Sequence, residues 1–194
     1  MKLRVILLST LLMFTSLSGW AQKAIDLGLS VKWADINVGA EKPTDSGDYF
    51  TWGDPSGMLA PEQVFSSEYE VGDIVGTKRD IAAVIMGAGW RMPTSNELRE
   101  LYEKCDWSAE MRSGVKGFRV TGPNGNSIFL PVYGAYIRGE YLEDEGCGLW
   151  SGSFNDKYSR IDFILLWIRD DGSVKIDVRQ ANMSAKFNVR AVHR

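Results

Sequence analysis

Four acidic residues near the middle of the sequence form the group that most resembles a metal-binding site. They are Glu140, Glu143, Asp144 and Glu145. Calcium takes about six to eight oxygen ligands from carboxylates, carbonyls and water, so a run of carboxylates is compatible with a calcium site. A run of like charges is nevertheless more typical of a solvated loop surface. We therefore predict no metal ion and no cofactor.

The residues that could act as nucleophiles lack a recognisable catalytic partner. The chain has a single histidine, His193, close to its C-terminus. Ser151 lies in a Trp-Ser-Gly-Ser segment, which is not the G-x-S-x-G elbow of many hydrolases. We predict no catalytic residue. A carboxylate pair remains an alternative, because its separation in space, not its spacing in sequence, defines a glycosidase site.

The first 21 residues have the pattern of a secretory signal peptide. Lys2 and Arg4 precede an apolar run over 5–17, and small residues follow at Gly19 and Ala21. No second apolar run of about 18 residues follows, so we expect no transmembrane segment after cleavage. The protein is therefore expected to be exported, to the periplasm, the cell surface or the extracellular medium.

Composition indicates one folded domain over residues 22–194. The chain is 44% hydrophobic and 24% charged, and its net charge is −3. Such a chain is neither disordered nor fibrous. Its mild acidity argues against binding to nucleic acid.

The two cysteines, Cys105 and Cys147, allow two interpretations. An even count in an oxidising compartment is compatible with a disulfide between them. Cys105 also follows Leu98, Leu101 and Tyr102 at the spacing of one helix face, where a buried free thiol acts as a small apolar side chain. The sequence does not decide between the two.

A segment rich in aromatic residues, 133–158, is the best candidate for ligand binding. Tyr, Trp and Arg combine rigid contact area with a polar group, and for that reason they dominate recognition surfaces. Trp150 also fits a buried position, whereas Tyr136, Arg138 and Tyr141 have polar and glycine neighbours. The candidate ligand-binding residues are Tyr136, Arg138, Tyr141, Trp150, Asp156 and Tyr158.

The elements that must position these residues follow from periodicity and turn signals. Helices are predicted over 79–86 and over 94–104, where Thr94 and Glu97 have capping-box spacing. Strands are predicted over 25–34, 48–52, 117–121, 127–132, 161–168, 173–178 and 187–192. The segment 54–78 is predicted as a long surface loop, and 133–158 as a long structured loop with short strand pieces. This order indicates an α+β fold.

Several sequence blocks resemble a family of exported proteins, the Fibrobacter succinogenes major paralogous domain. The blocks occur in the family's order and extend over nearly all of residues 22–194. They are Asp26–Ala34, Asn37–Ala40, Gly47–Gly53, Trp90–Thr94, Gly125–Pro131, Trp150–Ser151 and Val189–Val192.

The resemblance implies a C-type-lectin-like fold, distantly related to the formylglycine-generating-enzyme branch. Two helices would pack on a small, mainly antiparallel twisted sheet, the N- and C-terminal strands would pair, and a long loop region would face the ligand. No activity follows from the resemblance. Arg91 and Arg190 belong to the family blocks, and we interpret them as structural donors to loop carbonyls.

These observations together predict a non-enzymatic binding module for a carbohydrate or protein ligand, with the 133–158 region as its contact surface. Two alternatives from other classes stay open. One is a secreted hydrolase with a carboxylate-based site. The other is a structural subunit of a cell-envelope assembly, which would expose a broad apolar patch.

Overall fold

Antiparallel strands account for most of the regular structure in this protein. The computed structural model describes residues 22–58, 72–137, 140–142, 146–157, 160–181 and 185–194. About 45% of the described residues lie in strands and 11% in helices. The strands are β1 Ala24–Ile25, β2 Lys32–Ala34, β3 Phe50–Thr51, β4 Trp90–Arg91, β5 Asp106–Arg112, β6 Val115–Thr121, β7 Ser127–Pro131, β8 Ala135–Ile137, β9 Glu140–Leu142, β10 Gly146–Asn155, β11 Arg160–Ile168, β12 Val174–Ala181, β13 Ala185–Phe187 and β14 Val192–His193.

The strands form four small sheets instead of one. The first sheet has the order β1-β2-β14-β4, and the second has the order β3-β13-β8-β9. The third is the meander β5-β6-β7, and the fourth is β10-β11-β12. All the strand pairs within these sheets are antiparallel.

The predicted α+β, C-type-lectin-like fold is therefore wrong, and the described residues form a mainly β protein with two short helices. Two strands that the sequence patterns did not indicate account for much of the difference. β5 has mostly polar and exposed residues, so it lacks the apolar alternation by which strands are recognised. β10 has Gly, Ser and Cys among its buried positions, and this composition resembles a loop.

The first and last strands of the described chain belong to the first sheet. Val192 lies opposite Trp33 in the β14–β2 pair, which is the pairing that the family resemblance implied. The single strand predicted over 25–34 is instead a hairpin, with Ala24 paired to Ala34. Gly28 lies in the intervening turn at φ +76°, a conformation that favours glycine.

Both predicted helices are present. Helix α1 spans Ile81–Met86, and the buried Asp80 side chain caps it by accepting from the Ala83 N–H. Helix α2 spans Ser95–Lys104, and its capping box joins Thr94 and Glu97 as predicted. Burial opposes ionisation of Glu97, but hydrogen bonds from Arg91 and Thr94 outweigh it and lower the pKa of Glu97.

Strand β11 separates two hydrophobic cores. Ile164 and Leu166 pack into a first core with Trp33 and Leu98 of α2. Phe163 and the other odd-numbered residues of β11 face a second core that contains Trp52, Trp150 and Phe187. Successive side chains of a strand point to opposite faces, so a strand between two cores is apolar on both faces, as β11 is from Phe163 to Ile168. The buried strand predicted over 161–168 is thus confirmed.

A buried arginine joins segments that are far apart in the sequence. Arg190 is 0% exposed. It donates from Nε to Asn37 Oδ1 at 2.8 Å, from Nη1 to the Ala34 carbonyl at 3.0 Å and from Nη2 to the Phe129 carbonyl at 2.9 Å. Burial lowers the pKa of Arg190 to about 9, which leaves the guanidinium charged at neutral pH. The structural role predicted for Arg190 is confirmed.

Replacing Arg190 is expected to destabilise the fold strongly. In Arg190→Met, three buried acceptors lose their donors, at about 1–3 kcal/mol each, and removal of a buried charge offsets part of this loss. We expect a net loss of about 3 kcal/mol in the free energy of unfolding, measured by urea denaturation. Arg190→Lys should recover little of it, because an ammonium cannot reproduce the planar fork of donors.

The exposed Arg169 provides the matched control. Arg169→Met should leave the denaturation midpoint nearly unchanged, since surface substitutions usually alter stability by about 0.5 kcal/mol or less. An Arg190→Met midpoint equal to that of the unaltered protein would show that the three hydrogen bonds do not support the fold.

Candidate functional site

Three tyrosines lie together on the second sheet, and we call Tyr49, Tyr136 and Tyr141 the tyrosine patch. The β8–β9 hairpin places Tyr136 directly opposite Tyr141. Tyr49 immediately precedes β3, which reaches the same sheet through its pairing with β13. Residues close to 90 positions apart in the sequence thus form one surface.

The three rings pack against one another and still reach solvent. The Tyr136 and Tyr141 ring centroids are 4.9 Å apart. Tyr49 meets the Tyr136 ring edge to face at 5.2 Å and the Tyr141 ring at 6.4 Å. Tyr136 is 37% exposed and Tyr141 is 41% exposed. Mutual packing of this kind fixes the ring orientations while leaving surface for a ligand.

Two of the three hydroxyl groups in the patch are held by one backbone carbonyl. Tyr49 donates to the Tyr133 carbonyl at 2.6 Å, and Tyr141 donates to the same oxygen. A carbonyl oxygen has two lone pairs and can accept both bonds. Burial raises the pKa of Tyr49 well above its usual value, so this hydroxyl keeps its proton at physiological pH.

The loop before β3 is held in place by Asn188, the residue directly after β13. The buried Asn188 side chain donates to the Ser46 carbonyl at 3.1 Å and to the Asp48 carbonyl at 3.0 Å. Its backbone also bonds β10, donating to Gly148 and accepting from Trp150. The position of Tyr49 therefore depends on buried hydrogen bonds and not only on its own contacts.

The other predicted ligand-binding residues have different surroundings. Trp150 is 0% exposed and donates from its indole nitrogen to the Phe50 carbonyl, so its side chain cannot contact a ligand at the surface. Asp156 is exposed in the turn after β10. Arg138 and Tyr158 lie outside the described residues. Of the six candidates, the structure brings Tyr136 and Tyr141 together.

Tyr49 is the member of the patch that sequence reasoning did not single out. It belongs to the Gly47–Gly53 block and lies within the strand predicted over 48–52, which gives it no more weight than any other tyrosine in a strand. Only the pairing of β13 with both β3 and β8 brings it beside Tyr136. Pairing over such a distance has no local signal in one sequence.

The acidic residues considered for a metal site and the predicted signal peptide lie mostly outside the described residues. Glu140 is exposed, whereas Glu143, Asp144 and Glu145 lie outside the described residues. Within the described ranges, no three His, Cys, Asp or Glu side chains converge as metal ligands. In the same ranges, neither helix has the length and apolarity needed to cross a bilayer. The predicted signal peptide, residues 1–21, also lies outside them.

Comparison with known proteins gives no relative. No protein-family model, no curated protein and no solved structure matches the chain. The functional argument therefore rests on the residues and their geometry.

Both cysteines are free thiols in the first core. Cys105 is 8% exposed and Cys147 is 3% exposed. Burial raises the pKa of Cys105 to about 11 and that of Cys147 to about 12. A thiol with a raised pKa is a poor nucleophile at neutral pH. This arrangement corresponds to the interpretation in which Cys105 is a buried free thiol and not part of a disulfide.

A thiol titration distinguishes the two interpretations directly. With Ellman's reagent, we expect almost no reaction in the native protein, because both thiols are buried and protonated. In denaturant without reductant, we expect both cysteines to react. No reaction in denaturant, with full reaction after reduction, would instead demonstrate a disulfide.

Proposed function

We propose that this protein is an exported, non-enzymatic binding module and that the tyrosine patch contacts a carbohydrate ligand. Membership of the family that the sequence resembles is part of the same proposal. The observation that carries it is the pair of partly exposed rings, Tyr136 and Tyr141, fixed side by side on a hairpin.

The fixed rings support stacking as the mode of binding. The apolar C–H face of a sugar ring packs well on an aromatic face, which supplies a large apolar area with few rotatable bonds. Little side-chain entropy would be lost on binding, because ring contacts and hydroxyl hydrogen bonds already restrain the patch.

The choice of carbohydrate over protein rests on the hydroxyl groups. Tyrosines in protein interfaces commonly use the hydroxyl as a polar contact. Here the Tyr49 and Tyr141 hydroxyls already donate to the Tyr133 carbonyl. With these two hydroxyls engaged, the patch offers mainly ring surface, which favours stacking of a sugar's C–H face over contacts made through tyrosine hydroxyls.

A glycan-array screen with the chain 22–194 tests the proposal. The double variant Tyr136→Ala/Tyr141→Ala should lose about five- to 150-fold in affinity for the glycans retained by the unaltered protein, since each lost ring contact contributes about 0.5–1.5 kcal/mol. Near-ultraviolet circular dichroism would confirm that the variant remains folded.

The ring-retaining variant Tyr136→Phe/Tyr141→Phe is the matched control. Because stacking needs the ring and not the hydroxyl, this variant should keep most of the affinity. Equal glycan binding by the alanine variant would show that the patch is not the contact surface. Absence of binding across a broad array would favour the structural-subunit alternative.

A further inference from the structure

A groove opens between the first turn of α2 and one face of the fourth sheet, away from the tyrosine patch. Its volume is about 430 Å³, within the range of about 300–1,000 Å³ that is usual for small-molecule sites. The two surfaces share no residue, so an argument about the groove does not depend on the proposed function.

The apolar side of the groove comes from both elements. Leu98 of α2 and Ile164 of β11 are almost fully buried beneath it. Val178 of β12 lies opposite Ile164 and is 46% exposed. Its neighbours on the same face, Val174 and Ile176, pack against the first core. The groove thus begins at Val178, where α2 no longer covers the fourth sheet.

The polar end of the groove is a carboxylate held by neutral donors. Asp162 Oδ2 accepts from the Ser95 hydroxyl at 2.7 Å, and Oδ1 accepts from Gln180 Nε2 at 3.0 Å. Asp162 and Gln180 are also cross-strand partners. A carboxylate has about four acceptor positions, so this oriented group has capacity for further donors.

The charges around the groove favour a neutral ligand. Arg99 lines it one helical turn beyond Ser95, so the groove has a cation as well as the Asp162 carboxylate. Arg179 contributes no charge there, since its guanidinium lies on the other face of the sheet, 5.5 Å from the Trp167 ring and 2.7 Å from Asp177. A ligand with one charge would therefore meet a like charge.

We propose that this groove is a second ligand site, which takes one neutral sugar residue or a polyol of similar size. Hydroxyl groups of the ligand donate to Asp162 and accept from Arg99. The Asn155 amide at the rim can donate and accept. The C–H face of the ligand packs against Val178 and Leu98. A sugar presents both hydroxyl groups and C–H groups, and the groove has both polar and apolar lining residues to receive them.

Saturation-transfer NMR with D-glucose, D-galactose and D-mannose tests this site. At least one of these neutral sugars should show transfer, and D-glucosamine and D-glucuronate should bind more weakly than their neutral counterpart. Stronger binding of either charged sugar, or no transfer from any neutral sugar, would overturn the proposal.

Two matched aspartate variants locate the binding. Asp162→Asn keeps an acceptor for Ser95 but loses the charge, and should weaken binding by about tenfold or more. Asp170→Asn makes the same change in the exposed turn between β11 and β12 and should have no effect. If Asp162→Asn does not fold, Val178→Phe narrows the groove from an exposed position and should also weaken binding.

The tyrosine variants separate the two proposals. Tyr136→Ala/Tyr141→Ala should leave monosaccharide binding unchanged, even if glycan binding on the array fails. Loss of monosaccharide binding in the tyrosine variant, with retention in Asp162→Asn, would contradict a site in the groove.

Discussion

The buried guanidinium of Arg190 determines where three distant parts of the chain meet. It joins its own segment, just before β14, to the end of β2 with its following loop and to the middle of β7, through acceptors that are all neutral. Burying a charge without a carboxylate partner is costly, so two backbone carbonyls and the Asn37 side-chain oxygen must supply the hydrogen bonds. Once those carbonyls converge, the β2–β14 pair, which unites the two ends of the fold, is held in register.

Hydrogen bonds from buried side chains also connect the region around Arg190 to the tyrosine patch. Asn188, two residues before Arg190, holds the Ser46 and Asp48 carbonyls. The Trp52 indole donates to Ser151 and the Trp150 indole donates to Phe50, so β3 and β10 are joined in both directions. Buried side chains thus connect the small sheets, and the sheet that carries the patch is one of those they hold.

Local signals in the sequence predicted the helices, the β6–β7 hairpin and the central strand, because capping residues, turn residues and apolar runs act over a few positions. They failed for β10, where glycine and serine occupy buried positions that tertiary packing alone makes extended. Tyr136 and Tyr141 were predictable as surface residues of one segment. Tyr49, and the convergence of Ser95, Asp162 and Gln180, depend on long-range pairing and had no local signal.

We propose that the fixed tyrosine rings form a ligand-binding surface. NMR spectra of the chain 22–194, with tyrosine rings selectively labelled, would test it during titration with a glycan that the protein retains. The account predicts that the ring signals of Tyr49, Tyr136 and Tyr141 shift together, while those of Tyr102 on α2 stay constant. Saturable binding that leaves the three patch signals unchanged would contradict it.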